Sequence, residues 1–316
     1  MDRLQIAVLI PCRNEAAAIG KVVAQARESM PSAEIWVCDN DSTDDTRTIA
    51  SQAGARVLSE TQAGKGHAVR RLFADTEADI YVLVDGDGTY DLSRAGEMID
   101  MMIHQKLDLV TGTRQAVSAA SYRQGHKLGN RVLTGLVSLA FGRRATDMLS
   151  GYRVMSRRFV KSFPMLSGGF EIETELTVHA FELGMPQAEL ETEYRERAKG
   201  SASKLSTYRD GIRILRTILI LVKEERPLAF FSGLAALLAG LSVALAVPVI
   251  QEFLRTGLVE RLPTAVLSTG IMLVAVVCLG SGLILDTVTR GRREMKRLSY
   301  LRLPAVVEAA SRPTGE

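Results

Sequence analysis

Two stretches in the last third of the chain, Leu228 to Ile250 and Thr264 to Leu285, are almost free of charge. Each is long enough to cross roughly 30 Å of hydrocarbon at about 1.5 Å per residue. Buried helices of a soluble domain carry a polar stripe, and these carry almost none, so two transmembrane helices are predicted after Arg226-Pro227. Pro248 falls near the exit of the first and is tolerable there. Lys223 and Arg226 precede the first span, and Arg290, Arg292, Arg293, Lys296 and Arg297 follow the second. Both ends are therefore expected on the cytoplasmic side. The connection from Gln251 to Pro263 balances Arg255 and Arg261 against Glu252 and Glu260, as a short outside hairpin would.

The part before Val222 alternates short β-rich runs with helical patterns, which implies an α/β domain on a mostly parallel sheet flanked by helices. Strands are expected at Gln5 to Ile10, Glu34 to Cys38, Ala55 to Leu58, Ile80 to Val84 and Asp108 to Thr111. Helices are expected to begin near Glu15, Thr43, Gly66, Ser93 and Gly125. Ligands of open α/β sheets bind beyond the carboxyl ends of the strands, so Pro11 to Glu15, Asp39 to Asp44 and Asp85 to Tyr90 should converge on one crevice. An apolar share of 47% over 316 residues supports a buried core, and a net charge of +3 does not suggest a nucleic-acid binder. Cys12, Cys38 and Cys278 are too scattered for a disulfide framework or a Cys-rich metal site. The apolar run Leu4 to Ile10 is too short for a signal peptide. The segment Leu205 to Val222 has an apolar stripe at helical spacing with Arg209, Arg213 and Arg216 on other faces, and fits an interfacial helix or a core-facing one equally. The tail from Pro304 to Glu316 is expected to be loose.

Asp85-Gly86-Asp87 follows the apolar run Ile80 to Val84, so two carboxylates leave a strand end together. Such hard oxygen ligands favour Mg2+ or Mn2+, an ion able to bridge a diphosphate. Acidic-Gly-acidic turns also occur as plain surface loops, so the tripeptide alone decides little. His67, His104 and His179 have no mutual spacing for a zinc site, and no Ser/His/Asp set is discernible.

The runs "VLIPCRNEAAAI", "VCDNDSTDDT", "GKGHAV", "VLVDGDGTYD" and "VTGTR" resemble, in order and spacing, the inverting family-2 glycosyltransferases of GT-A fold. "GHKLGNRVLTGLVSLAFG", "ATDMLSGYRVMSR", "GGFEIETEL" and "YRERAKGSASKLSTYRDGIRIL" are similar to the dolichol-phosphate mannose synthase branch and its bacterial polyprenyl-phosphate relatives. The resemblance covers about residues 4 to 222. It implies that Pro11, Asn14, Glu15 and Asp39 line the nucleotide base and ribose, with Lys65 in Gly64-Lys65-Gly66 and the Asp85-Gly86 pair also at the nucleotide. A carboxylate such as Asp39 can accept a base imino proton, although the Asp39 to Asp44 segment could also cap the helix at Thr46. Asp85 and Asp87 would hold the divalent cation. Arg114, Arg197 and Lys204 match basic positions at the acceptor phosphate, where a guanidinium meets two oxygens. Arg153 matches another basic position and stays open between a phosphate contact and a solvated face.

Two departures from the branch pattern stand out. Thr89 occupies the place where a glutamine often joins the metal, and Arg123 and His126 stand where arginine and serine usually meet the acceptor phosphate. His126 could equally be a structural helix residue. The reading as a whole is a cytoplasmic catalytic domain over 1–204, an amphipathic interfacial helix over 205–226, a two-helix anchor over 227–290 and a cytoplasmic tail over 291–316. It implies a multi-pass inner-membrane enzyme that moves a sugar from a nucleotide sugar, preferably a UDP-sugar, to a polyprenyl phosphate. Its partners are the donor, the lipid acceptor and the bilayer, with no nucleic acid and with homo-oligomerisation left open. A lipid phosphate is already ionised near neutral pH, so no strong base is required; Asp91 or Asp147 could assist, and none is assigned. Extension of a polysaccharide and a non-catalytic membrane scaffold are the alternatives; the chain lacks the "QxxRW" motif and the many spans of processive synthases.

Overall fold

A computed structural model describes residues 4–116, 135, 146–165, 168, 169, 171–195, 197, 216, 219, 220 and 222–306. The chain divides into two compact units, Met1–Ile218 with Lys296–Glu316, and Leu219–Met295.

The first unit is built on a seven-stranded sheet: β1 (Ile6–Cys12), β2 (Glu34–Asp39), β3 (Arg56–Ser59), β4 (Ile80–Leu83), β5 (Leu109–Ala116), β6 (Arg153–Ser156) and β7 (Gln187–Tyr194), in the order β3-β2-β1-β4-β6-β5-β7. Pairings β1 with β2, β1 with β4, β2 with β3 and β5 with β7 are parallel, while β6 runs antiparallel between β4 and β5. The mostly parallel sheet expected from the sequence is present. Both faces are covered, which is why β1 and β4 read as continuous apolar runs. On one face α1 (Ile19–Ser29) buries Ile19, Val22, Val23 and Ala26, and α4 (Ala95–His104) buries Met98, Ile99 and Met102. On the other, α3 (Lys65–Asp75) buries Ala68, Val69, Leu72 and Phe73, beside α6 (Ile172–Leu183) with Ile172, Leu176 and Ala180. Both patterns follow the i, i+3, i+4 spacing of an apolar helix stripe. Short α2 (Thr46–Gln52) and α5 (Arg157–Ser162) complete the layers among the described residues.

Helix α1 begins four residues later than expected, because the Glu15 carbonyl first closes a turn by accepting from Ala18 and Ile19. The helix expected near Gly125 lies outside the described residues, as does most of the expected interfacial helix. The expected looseness of the tail does not hold as far as Val306, which is buried in the core with Val8 and Ile99. Just before it, Lys296 pairs with Glu182 at 2.7 Å, and the Tyr300 hydroxyl donates to Asp108 at 2.7 Å. The Arg158 guanidinium lies 4.6 Å from the Tyr300 ring. Residues from Lys296 onward thus count with the first unit, although the sequence reading placed them in a separate tail.

The second unit is a pair of long helices, α7 (Pro227–Thr256) and α8 (Leu262–Leu301). They bury small residues at seven-residue intervals, Ala235 and Ser242 on one and Ser268, Ala275, Gly282 and Thr289 on the other. Gly282 is required by close approach, since a Cβ there would stand 2.9 Å from that of Phe231. Large apolar side chains point outward, with Leu237 66% and Ile284 68% exposed. Only 17% and 11% of the most apolar stretch of each helix is buried, far less than a core helix of a soluble fold would bury. Both helices are long and apolar enough to cross a membrane. Helix α8 continues well past Leu285, because nothing breaks it before Pro304. Thr289 and Arg292 donate to the Glu224 carbonyl, each at 2.9 Å, so part of the basic cluster ties down the turn that leads into α7.

Candidate active site

The carboxyl ends of β1, β2 and β4 open into a cleft of about 450 Å³. Its rim is knitted by side chains whose backbones end the strands. Asn14 takes a left-handed φ of 51°, accepts from the Thr43 N–H at 2.8 Å through its amide oxygen, and donates its own N–H to Ser42 Oγ at 2.9 Å. The Glu15 N–H donates to Thr46 Oγ1 at 2.8 Å. Burial alone would raise the Asp44 carboxyl, yet hydrogen bonds from the Thr46 hydroxyl and from the Ala16 and Thr46 N–H groups hold it below its ordinary value. Asp44 thus supports the helix start at Thr46, the structural use foreseen for this segment. Asn40, 3% exposed, shapes the opposite loop by donating to the Gln62 carbonyl and accepting from the Gly64 N–H, both at 2.7 Å.

Asp85 and Asp87 stand at the end of β4. Gly86 between them fits tightly: a Cβ would lie 2.9 Å from that of Cys12. Asp85 is bridged by the Lys65 ammonium, which also pairs with Glu173. Burial would lower the lysine, but the two carboxylates raise it above its ordinary value. Asp87 is 4% exposed and accepts from the Thr89 hydroxyl at 2.6 Å and from Arg197 Nη2 at 2.7 Å. Burial pushes its carboxyl up, the neighbouring Asp85 adds to that, and Arg197 opposes it. Thr89, at the place of the expected third metal ligand, instead orients Asp87.

No cluster of three or more His, Cys, Asp or Glu able to hold a metal occurs among the described residues. A hard divalent cation nevertheless suits the acid pair: Mg2+ in particular is commonly bound through one or two carboxylates, with phosphate oxygens and water completing its shell. The residues present therefore fit a cation that depends on a bound diphosphate.

Pro11, Asn14, Glu15, Lys65, Asp85, Gly86, Asp87 and Arg197 all line the cleft. Asp39 and Arg114 do not. Asp39 is buried at the end of β2, with an Oδ1 that has no hydrogen-bond partner. Arg114 on β5 is gripped by Asp147 through Nε and Nη2, both at 2.7 Å, and lies 5.6 Å from the Tyr194 ring. Arg153 meets neither of its two readings. It is fully buried and donates to the carbonyls of Met148, Ser150 and Glu173 and to Thr177 Oγ1, so it joins β6 to α6 and touches no ligand space. Arg123, His126 and Lys204 lie outside the described residues. Cys12, Arg13 and Asn40 in the cleft wall fall within the segments expected to converge, but the sequence reading gave them no role of their own; Glu173, which pairs with Lys65, lay unremarked in the quoted run "GGFEIETEL".

A mostly parallel sheet whose strand ends bring an acid pair, a lysine and an arginine into one cleft is the arrangement of a glycosyltransferase. Residues 7–163 match the Glycosyl transferase family 2 profile. The chain is 33% identical over 301 residues to glycosyltransferase AglJ of Haloferax volcanii, covering 94% of this chain and 98% of that one. It belongs to glycosyl transferase family 2. It is also similar to the dolichyl-phosphate hexose transferase of the same organism, 28% identical over 221 residues, 70% of this chain and 95% of that one. In fold it resembles glucosyl-3-phosphoglycerate synthase from Mycobacterium tuberculosis in complex with Mn2+ and UDP-glucose, with TM-score 0.55, 24% identity, and 68% and 79% of the two chains covered.

Proposed function

We propose that the protein transfers a hexose from a UDP-sugar to a polyprenyl phosphate at the cytoplasmic face of a membrane, with inversion at the anomeric carbon and with Mg2+ or Mn2+. The observation that carries this reading is the cleft in which Asp85, Asp87, Lys65 and Arg197 meet, in a chain that also holds two exposed apolar helices. Similarity to a dolichyl-phosphate hexose transferase supports the lipid phosphate acceptor. Similarity in fold to a synthase bound to Mn2+ and UDP-glucose is compatible with the donor and the cation.

Asp85 and Asp87 would hold the cation, which neutralises charge on the leaving diphosphate when bound. Lys65 offers a second positive charge at the same place, and Arg197 a third. An acceptor phosphate oxygen forms the new bond to the anomeric carbon while the bond to the nucleotide diphosphate breaks and its electrons leave with the diphosphate. The attacking oxygen is already ionised, so the site's task is to bring two anions together and orient them. Arg114 is proposed for the acceptor phosphate, its planar fork now presented to Asp147 in the geometry a phosphate would use. Arg123, His126 and Lys204 are proposed for the same anion.

The test is a panel of UDP- and GDP-sugars incubated with undecaprenyl phosphate and Mg2+ or Mn2+. Sugar label in the organic phase with a UDP-sugar is the expected outcome. Label appearing only in water-soluble polymer would instead identify a polysaccharide-extending enzyme.

A further inference from the structure

Glu173 is 5% exposed and belongs to no surface of the cleft, yet its carboxylate pairs with the lysine that does line it. It stands in the first turn of α6, where the helix dipole favours negative charge. That turn is fixed from two sides. Arg153 holds the Glu173 carbonyl at 2.9 Å, and the Gly66 N–H at the start of α3 donates to the carbonyls of Gly168 and Gly169, just before α6. Gly64, with φ of 142°, leaves no room for a Cβ against the Gly168 carbonyl. The starts of α3 and α6 are thus joined, and the Lys65 to Glu173 pair sits at the joint.

We propose that Glu173 is a positioning residue for Lys65, holding its ammonium beside Asp85 so that the cleft is preorganised for the diphosphate of a nucleotide. A lysine ammonium on a flexible four-carbon stem loses rotamer freedom when it meets an anion, and a fixed buried partner bears that cost before the ligand arrives. Asp85 alone could not do this if it also held a cation; Glu173 meets the same ammonium from outside the cleft wall and would keep the lysine in place. The inference rests on the donor reading above and adds a residue that acts only through Lys65.

The experiment is a double-mutant cycle on the full-length protein in detergent, with UDP binding measured by calorimetry and donor kinetics alongside. Glu173→Gln is expected to weaken UDP binding about tenfold. The donor KM should rise by the same factor, with kcat within about threefold, the pattern of lost ground-state binding. In a Lys65→Met background the same substitution should add nothing, because its effect passes through the lysine. Glu173→Asp should recover part of the affinity, and it provides the same cycle if Glu173→Gln does not fold. Unchanged UDP binding in Glu173→Gln, or an equal further loss on top of Lys65→Met, would overturn the inference and leave the donor reading standing. A wild-type protein that binds neither UDP nor GDP would overturn both.

Discussion

Asp85 and Asp87 leave the same strand end but meet different surroundings, with side chains 26% and 5% exposed. Asp85 faces the cleft and Gly151, where an added Cβ would stand 2.5 Å from its carboxylate oxygen. Gly151→Ala should therefore displace Asp85 and lower kcat/KM at least about tenfold. The thermal midpoint should move little, and initial rates beside a melting curve check both. A second residue gives a pH prediction. His179 is buried against Phe159 and Phe163 and bonded to Ser162 Oγ, and burial, with Lys296 adding, pushes its pKa down from 6.5 to about 3. The unfolded chain takes up a proton below 6.5 that the folded chain refuses, so stability is complete above that pH and falls on acidification toward 3. The slope approaches about 1.4 kcal/mol per pH unit. Melting at pH 7.5 and 5.5 should show a larger drop for the wild type than for His179→Gln. The cleft residues on strand ends were legible in the sequence because an apolar run followed by acids marks where a strand stops. Glu173 was not, because nearly every residue of α6 is buried, polar ones included, and no polar face marks it as different.

Among the elements, β6 and α6 are joined by one cation. Arg153 makes four hydrogen bonds inside the protein. Arg153→Met should destabilise the catalytic unit by about 3–5 kcal/mol, because it leaves buried carbonyls without their donor. A lowered midpoint with loss of soluble protein is the expected result, and an unaltered melt with weaker acceptor binding would return Arg153 to the phosphate. Tyr300→Phe removes one of the donors to buried Asp108, which keeps Ser156 and Arg158, and should cost about 1 kcal/mol in the same assay. The first five strands were readable because their β-rich apolar runs end at polar loops. β6 was missed because four residues, Arg-Val-Met-Ser, are too short for any period to declare itself. β7 was missed for a different reason: Glu189, Glu191 and Glu193 alternate along an edge strand and read as a polar loop.

For the whole molecule, the proposed function requires that the hairpin of α7 and α8 cross a membrane with the Gly257 turn outside and the catalytic unit inside. A cysteine introduced at Gly257 should react with an impermeant maleimide in intact spheroplasts. One at Glu28 on α1 should react only after lysis, and the reverse pattern would invert the topology. Anchor deletion needs care, since removing everything after residue 226 also removes Tyr300 and Val306 from the catalytic unit. The most direct test of the central claim is transfer of radiolabelled sugar from a UDP-sugar to undecaprenyl phosphate with Mn2+, counted in the organic phase for the wild type and for Asp85→Asn/Asp87→Asn. The account predicts organic-phase label that depends on Mn2+ and vanishes in the double variant. A double variant that labels the lipid as fast as the wild type would contradict it.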